Sequence, residues 1–191
     1  EAVLPTRGGD WYDGGLWQDV FLHKWGTKND LVKGSWDYLY RVIAQANKSL
    51  DKLNEILAKD PENTSVPKYI SEVRAFRALY YYYLLDMFAR VPLVTSSTTA
   101  MADVEQSERS VVFTFVKTEL EESVADLSDA HSNLPGEYYG RITKPVAYFL
   151  LAKLALNAEI YNAGNCTDGS TSHGKTFKFT VDGAEKNAWE A

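Results

Sequence analysis

The feature that most constrains the fold is a stripe of apolar residues that recurs at steps of three and four between positions 36 and 57. Its members are Trp36, Leu39, Tyr40, Ile43, Ala46, Leu50, Leu53 and Leu57, with the polar Asn47 on the same face. Residues at such steps lie on one face of an α-helix. The spacing therefore predicts a helix over 36–59, with Ser35 as its N-cap and Pro61 just past its end.

A second helical pattern follows over 68–89, and its apolar and aromatic residues cover almost the whole circumference. Turn-forming residues at 60–67 separate it from the first helix, and Val91-Pro92 ends it. A helix that is apolar on all sides must be covered on several sides. We therefore expect a helical hairpin over 36–92, with further elements packed against its second helix.

The same layout recurs later in the chain. After a polar loop, Ser110 is placed to cap a third helix whose stripe is Val112, Val116, Leu120, Val124 and Leu127. Thr143 and Pro145 open a fourth helix over 144–163, and Asn162 with Gly164 supplies a left-handed end. This second hairpin, 110–164, starts at roughly twice the tetratricopeptide period of about 34 residues after the first. We predict an all-α fold of tetratricopeptide-like stacked helical hairpins, an α-α superhelix with long loops.

The flanking segments complete the predicted organisation of one domain over 1–191. Residues 1–34 are rich in glycine, tryptophan and aspartate and lack a sustained period, so we expect a loop-like leader. Residues 165–191 predict a loop, one short strand through Phe177, Phe179 and Val181, and the start of a further helix. We expect the sequence to be part of a longer protein, cut at both ends, with any lipid anchor outside it.

Composition excludes several classes of function. The net charge is −6, and no cluster of basic residues is present to neutralise nucleic-acid phosphates or anionic lipids. No apolar run approaches the roughly 20 residues that span a bilayer. The single cysteine, Cys166, excludes an intrachain disulfide and a cysteine-based zinc site. We expect no nucleic-acid partner, no transmembrane helix and no cofactor.

Enzymatic function lacks a recognisable motif. The three histidines are scattered, and no zinc-protease motif, phosphate-binding loop or nucleophile elbow is present. A glycosidase pair of carboxylates is not excluded by spacing alone. Asp10 and Asp13 fall short of the six to eight oxygen ligands that calcium takes. We expect a protein that is not an enzyme and has no metal site.

The sequence resembles one known family over nearly its whole length. The leader Pro5-Thr6-Arg7-Gly8-Gly9-Asp10-Trp11-Tyr12-Asp13-Gly14-Gly15 is similar to a stretch found in one branch of the SusD-like (RagB/SusD) nutrient-binding proteins. The helical segments also resemble that family, in order and spacing, through Trp36-x2-Leu39-Tyr40-x2-Ile43-x2-Ala46-Asn47-x2-Leu50, Glu72-x-Arg74-Ala75-x-Arg77-Ala78-x-Tyr80, Phe88-x2-Val91-Pro92-Leu93 and Gly140-Arg141-Ile142-Thr143-Lys144-x2-Ala147-x4-Ala152-Lys153.

The resemblance implies a fold, a place and a role. Members of this family are surface lipoproteins of the outer membrane of certain Gram-negative bacteria, and they carry a ligand-binding part on tetratricopeptide-like hairpins. They bind oligosaccharides, or peptides in some branches, and they cover a SusC-like TonB-dependent transporter. They are not enzymes. Because full members are much longer, this chain would be their amino-terminal portion.

The leader contains the residue types that hold a sugar in water. Aromatic rings cover the apolar faces of a sugar ring, and each contributes on the order of 1–2 kcal/mol, while charged and amide groups bond the hydroxyls. Our candidate ligand-binding residues are Arg7, Asp10, Trp11, Tyr12 and Asp13. The alternative is that Trp11 holds the leader onto the helical core, and we assign the remaining tryptophans Trp17, Trp25 and Trp36 to packing.

Several residues inside the helices have structural interpretations. The rings of Tyr80, Tyr81, Tyr82 and Tyr83 cannot form one surface, because adjacent helical residues point about 100° apart. Arg77 requires a carboxylate or backbone carbonyls between the hairpins, since burial without a partner is costly. Arg141 could bond a loop or serve a partner surface, and we expect Thr143 to cap the fourth helix.

Two hypotheses for function remain. The first is a noncatalytic oligosaccharide-binding component of an outer-membrane nutrient uptake system, acting with a SusC-like transporter. The second is a protein-interaction scaffold of tetratricopeptide type with no ligand site of its own in this portion of the protein.

Overall fold

The computed structural model describes residues 12–162, 178–188 and 190–191. The chain divides into two units, Glu1–Arg41 and Val42–Ala191, and the boundary between them falls inside a long helix. Within the described residues, no helix combines the length and the apolar character that crossing a membrane requires. The helices and short strands confirm the predicted tetratricopeptide-like helical fold.

The first unit contains more helix than the predicted leader. A 3-10 turn at Asp13–Gly15 leads into helix α1, Leu16–Phe21, and helix α2 runs over Asp30–Lys59. The expectation of a loop through residue 34 was therefore wrong. Asn29, rather than Ser35, caps α2, because its side-chain oxygen accepts hydrogen bonds from the backbone N–H groups of Leu31 (3.0 Å) and Val32 (3.2 Å).

Helix α3 spans Val66–Phe88, and it too begins earlier than the apolar pattern indicated. The side-chain oxygen of Asn63 accepts hydrogen bonds from the N–H groups of Ser65 (3.1 Å) and Val66 (3.0 Å), and Pro67 occupies a first-turn position. The helix is buried on several sides, as predicted, and its most extensive packing is against the following helix.

That following helix, α4, spans Arg109–Ser123 and continues into a 3-10 turn at Val124–Asp126. Ser110 lies inside it instead of capping it, because Glu108 is the N-cap residue and its carbonyl accepts from Val111 (3.0 Å) and Val112 (3.2 Å). A two-residue ladder joins β1 (Val91–Pro92) to β2 (Gln106–Ser107), just before α4. The ladder therefore connects the end of α3 to the start of α4.

The predicted fourth helix is two helices. Helix α5 covers Lys144–Leu156, a break follows at Asn157, and α6 covers Ala158–Tyr161. The Asn157 side chain donates to the Lys153 carbonyl (3.0 Å), a local bond that competes with helix continuation. Asn162 has right-handed backbone angles, so it is not a left-handed end, and Gly164 lies outside the described residues.

Thr143 occupies the N-cap position of α5, but only its backbone carbonyl, and not its hydroxyl, bonds the helix. Its carbonyl accepts the N–H of Ala147 (3.0 Å), and its extended conformation suits an N-cap position. Its hydroxyl, however, is buried and makes no hydrogen bond with the residues that the structure describes. The side-chain cap was therefore a wrong prediction.

The chain after the second hairpin forms a β-hairpin instead of a single strand. Strands β3 (Lys178–Val181) and β4 (Ala184–Asn187) pair antiparallel around a turn at Asp182 and Gly183, whose φ values of 51° and 75° are left-handed. Phe179 is fully buried and meets the ring of Phe113 at 6.3 Å, whereas Phe177 lies outside the described residues.

The predicted start of a further helix has the hydrogen bonds of a capping box. The Asn187 side chain accepts from the N–H of Glu190, and the Glu190 carboxylate accepts from the N–H of Asn187, both at 3.1 Å. The N–H of Ala191 donates to the Asn187 carbonyl (3.0 Å), as in a first helical turn. This reciprocal pattern is typical of a helix start.

A buried ionic network ties α3 to α4. The Arg77 guanidinium donates to one oxygen of Glu119 from Nε (3.1 Å) and Nη2 (2.5 Å), and its Nη1 donates to the Asn47 side chain (2.8 Å) and the Thr95 carbonyl (3.0 Å). Arg74 donates to the other oxygen of Glu119 (2.9 Å) and to Glu122. The predicted structural role of Arg77 between the hairpins is confirmed.

The tyrosine run also behaves as expected. Tyr81 and Tyr82 are buried, whereas Tyr83 is 44% exposed, so the rings do not form one platform. The Tyr81 hydroxyl donates to the Val94 carbonyl and accepts from the Val94 N–H, both at 2.8 Å. Desolvation, its largest cause, raises the pKa of Tyr81 to about 12.

Candidate functional site

The structure describes two of the five predicted ligand-binding residues. Tyr12 is half-buried and Asp13 is exposed, whereas Arg7, Asp10 and Trp11 lie outside the described residues. One carboxylate oxygen of Asp13 accepts a hydrogen bond from the indole N–H of Trp17 at 2.6 Å. Asp13 therefore positions a neighbouring tryptophan, and its second oxygen is the one that a ligand hydroxyl could reach.

A concave surface lies a few residues further along the same unit, where the chain turns after α1. It has a volume of about 310 Å³ and is lined by Val20, Phe21, His23 and Trp25, and we call it the aromatic pocket. Trp25 is 47% exposed and Phe21 is 37% exposed. The expectation that Trp25 packs in a core was therefore wrong.

A tight turn shapes this pocket. His23 adopts a left-handed conformation with φ 55°, and its N–H donates to the Val20 carbonyl (3.1 Å), while the Lys24 N–H donates to Asp19 (2.8 Å). The turn brings the rings of His23 and Trp25 together edge to face, with centroids 5.1 Å apart. This geometry holds the indole at the surface.

The chemistry of the pocket suits a ligand with an apolar face and polar edges. Exposed aromatic faces remove the C–H face of a sugar ring from water, and the histidine nitrogens can donate to or accept from hydroxyl groups. Each ring contributes on the order of 1–2 kcal/mol by burying some tens of square ångströms. The pocket can therefore support weak binding of one or two sugar rings.

The remaining predicted aromatic residues have local packing roles. Trp36 is half-buried and its ring lies 4.8 Å from that of Tyr40, which confirms its assignment to packing. Trp17 is half-buried and bonded to Asp13. The sequence signal that could have separated Trp25 from these two is its position after the end of a short helix, outside any apolar stripe.

Arg141 is a paired residue. Its guanidinium donates to both carboxylate oxygens of Glu72, from Nε at 2.9 Å and from Nη2 at 2.6 Å. Hydrogen bonding to Glu72, the largest cause, raises the pKa of Arg141, which keeps the guanidinium charged. Spacing alone could not assign Glu72 to a partner, because the two residues are far apart in the sequence.

Acidic and histidine side chains do not gather into a metal site in the part of the chain that the structure describes. Asp13 uses one oxygen for Trp17, and Asp51 accepts hydrogen bonds from the Ser97 N–H (2.8 Å) and hydroxyl (2.6 Å). These hydrogen bonds are the main cause that lowers the pKa of Asp51. Both carboxylates therefore order nearby segments of the chain.

Comparison with known proteins identifies a family. Residues 9–156 match the SusD-like family described as "Starch-binding associating with outer membrane". The chain is 28% identical over 109 residues to the starch-binding protein SusD of Bacteroides thetaiotaomicron, which covers 57% of this chain and 18% of that protein.

Solved structures of SusD-like proteins are also similar to this chain. A laminarin-binding SusD-like protein is 30% identical with a TM-score of 0.55, covering 68% of this chain and 28% of that one. A SusD homologue from Bacteroides thetaiotaomicron is 23% identical with a TM-score of 0.65, covering 77% of this chain and 29% of that one. The chain thus spans less than a third of the length of these relatives. Because the family match covers residues 9–156, which is most of this chain, the chain belongs to the SusD-like family.

Proposed function

We propose that this chain is the amino-terminal portion of a noncatalytic oligosaccharide-binding protein, and that the aromatic pocket is one of its sugar contacts. The observation that carries the proposal is the exposed indole of Trp25 beside Phe21 and His23, in a chain whose family is described as starch-binding. Contiguous apolar patches on a protein surface often mark ligand-binding grooves or interaction sites.

The expected affinity of this pocket is weak. Two rings at about 1–2 kcal/mol each give roughly 2–4 kcal/mol, which corresponds to dissociation constants of about 1 mM or weaker. An extended saccharide would gain from further contacts along its length. Arg7, Asp10, Trp11, Tyr12 and Asp13 remain our proposed further contacts, because they combine aromatic faces with groups that bond hydroxyls.

The proposed setting is the outer face of the outer membrane. The family description and the relatives named as starch- and laminarin-binding support a surface protein that captures glycans. We propose that the longer protein is anchored by a lipid and acts with a SusC-like TonB-dependent transporter. Co-purification of such a transporter with the full-length protein tests the partnership, and its absence from gently solubilised membranes would argue against it.

The principal test is Trp25→Ala in the full-length protein, measured by titration calorimetry with maltohexaose and laminarihexaose. Loss of the indole is expected to weaken binding about tenfold. Leu22→Ala is the matched control, because Leu22 is also 47% exposed and does not line the pocket. Equal saccharide affinity of the wild type and the Trp25 variant would show that the aromatic pocket does not contact the saccharide. Release of reducing ends from either saccharide would contradict the noncatalytic role.

A second candidate function is the protein-interaction scaffold. One observation favours it: Phe149 and Leu156 of α5 and Ile160 of α6 are large, apolar and exposed. Exposed apolar surface of this kind is typical of protein contacts. Trp11→Ala and Tyr12→Ala, alongside Trp25→Ala, separate the candidates. Unchanged glycan affinity in all three variants, with the transporter still bound, would favour the scaffold.

A further inference from the structure

A second concave surface lies wholly within the unit Val42–Ala191. The first turns of α3 form one wall, residues 125–129 form the floor, and residues 137–142 form the other wall. Its volume is about 520 Å³, within the range of pockets that hold small molecules. Because most of its lining is polar, we call it the polar cleft.

The walls of the polar cleft are fixed in advance of any ligand. The bidentate ion pair between Arg141 and Glu72 joins the two walls, with N···O distances of 2.9 and 2.6 Å. The guanidinium carbon of Arg141 also lies 4.9 Å from the centre of the Tyr138 ring. A planar guanidinium held by two hydrogen bonds and a stacked ring has already lost its rotamer freedom. A ligand would therefore meet an ordered surface.

Two side chains on the helical wall remain available to a ligand. Tyr69 is 49% exposed and Lys68 is exposed, and within the described residues neither side chain makes a hydrogen bond or an ion pair. The tyrosine supplies an aromatic face with a hydroxyl at its tip, and the lysine supplies three N–H donors. Together with Tyr138 they give the cleft two rings and a donor.

The acidic groups around the cleft already have partners of their own. Asp126 accepts a hydrogen bond from the Ser71 hydroxyl (3.0 Å), Asp129 lies 3.1 Å from the ammonium of Lys144, and Glu137 lies 3.8 Å from Arg141. A basic peptide would have to compete with Lys144 for Asp129 and with Arg141 for Glu137. A neutral polyol can use the remaining lone pairs without breaking an ion pair.

We propose that the polar cleft is a second saccharide site, separate from the aromatic pocket. In this site Tyr69 and Tyr138 contact sugar rings, while Lys68 and the carboxylates of Asp126, Asp129 and Glu137 bond hydroxyl groups. The ligand class rests on the proposed function. The location does not, because it follows from the walls, rings and charges of the cleft itself.

Hydrogen–deuterium exchange of the full-length protein, read by mass spectrometry, tests both sites in one experiment. Maltohexaose or laminarihexaose is expected to slow exchange in peptides that cover 65–72 and 125–142. Protection of residues 16–25 reports separately on the aromatic pocket. Protection of 16–25 without the cleft peptides would overturn this inference and leave the proposed function intact, and absence of protection at both would overturn both.

Two variants of the same residue type sharpen the test. Tyr69→Ala is expected to raise the saccharide concentration for half-maximal protection of the cleft peptides about tenfold. Tyr83→Ala is the matched control, because Tyr83 lies on the same helix at 44% exposure, about 21 Å further along its axis. Equal effects of the two variants would contradict the proposal. Lys68→Ala provides a second test if the Tyr69 variant is unstable.

Salt and a basic peptide distinguish the ligand classes. Binding of a neutral saccharide is expected to change little between low and high salt, whereas an ionic ligand loses affinity through screening. If hexalysine protects the cleft peptides at low salt and the saccharides do not, the cleft is a docking site for basic protein segments and the saccharide assignment is wrong.

Discussion

The aromatic pocket and the polar cleft are built in opposite ways. The pocket is lined by residues within a stretch of six, 20–25, and local backbone hydrogen bonds hold it. The cleft brings together residues from 65–72 and 125–142 through a bidentate ion pair. The pocket therefore depends on one turn of the chain, whereas the cleft depends on the packing of α3 with the segments after α4.

This difference predicts which substitutions change ligand binding alone and which also change the free energy of unfolding. Removing the Trp25 or Phe21 side chain is expected to change stability little, because both side chains are exposed. The geometry of the cleft depends on how α3 packs against α4, where Arg77 and Glu119 form a buried ion pair. Changes to that packing are therefore expected to alter the cleft and the global stability together.

The largest effect is expected for Arg77→Ala, which leaves Glu119 buried with only Arg74 as a charged partner. Breaking a buried ion pair costs about 3–5 kcal/mol in the free energy of unfolding. Urea unfolding followed by circular dichroism measures it. Arg74→Ala is the control on the same helix, and it should cost clearly less because Arg74 is more exposed. Equal losses would contradict the importance assigned to burial.

High pH is expected to lower the free energy of unfolding through ionisation of Tyr81, which is buried on α3. Since desolvation raises the folded-state pKa of Tyr81 to about 12, the neutral form is favoured in the folded protein. The resulting stability is fully present below pH 10 and is lost as pH rises through about 12, by up to about 3 kcal/mol. Unfolding free energies measured between these pH values check it. Tyr81→Phe should remove this component, and an unchanged slope in that variant would assign the loss to other groups.

A smaller effect on the free energy of unfolding is expected for Glu72→Gln, which replaces the carboxylate that accepts two hydrogen bonds from Arg141. The pair is partly exposed, so the loss of unfolding free energy should be about 1 kcal/mol. Limited proteolysis should also cleave the 128–142 segment faster. Glu137→Gln is the control, because Glu137 is exposed and 3.8 Å from the same arginine. If Glu137→Gln loosens this segment as much, the bidentate pair does not fix the cleft.

The helices could be predicted because their apolar stripes are periodic over many turns. Their starts could not be predicted from the stripes. Asn29 caps α2, and the Asn63 side chain accepts hydrogen bonds from the N–H groups of Ser65 and Val66 at the start of α3, both from positions before the apolar pattern begins. The break at Asn157 depends on one side-chain bond to the Lys153 carbonyl, a choice that periodicity does not record.

The candidate sites were less predictable than the fold. The kind of partner for Arg77 followed from the cost of burying a charge, and Glu119 is such a carboxylate. The pairing of Arg141 with Glu72 did not follow, because tertiary packing alone brings these distant residues together. The assignment of Trp25 to packing was wrong, because Trp25 follows a turn with a left-handed residue at position 23 and is 47% exposed.

The ladder between Val91–Pro92 and Gln106–Ser107 has a consequence for how this protein can vary. It closes the intervening segment at its base, so the spacing of α3 and α4 does not depend on the length of that segment. Within that segment, Met101 is 87% exposed. Because each doubling of loop length costs only about 0.6 kcal/mol, extra residues beside Met101 would enlarge the surface while the helices keep their places.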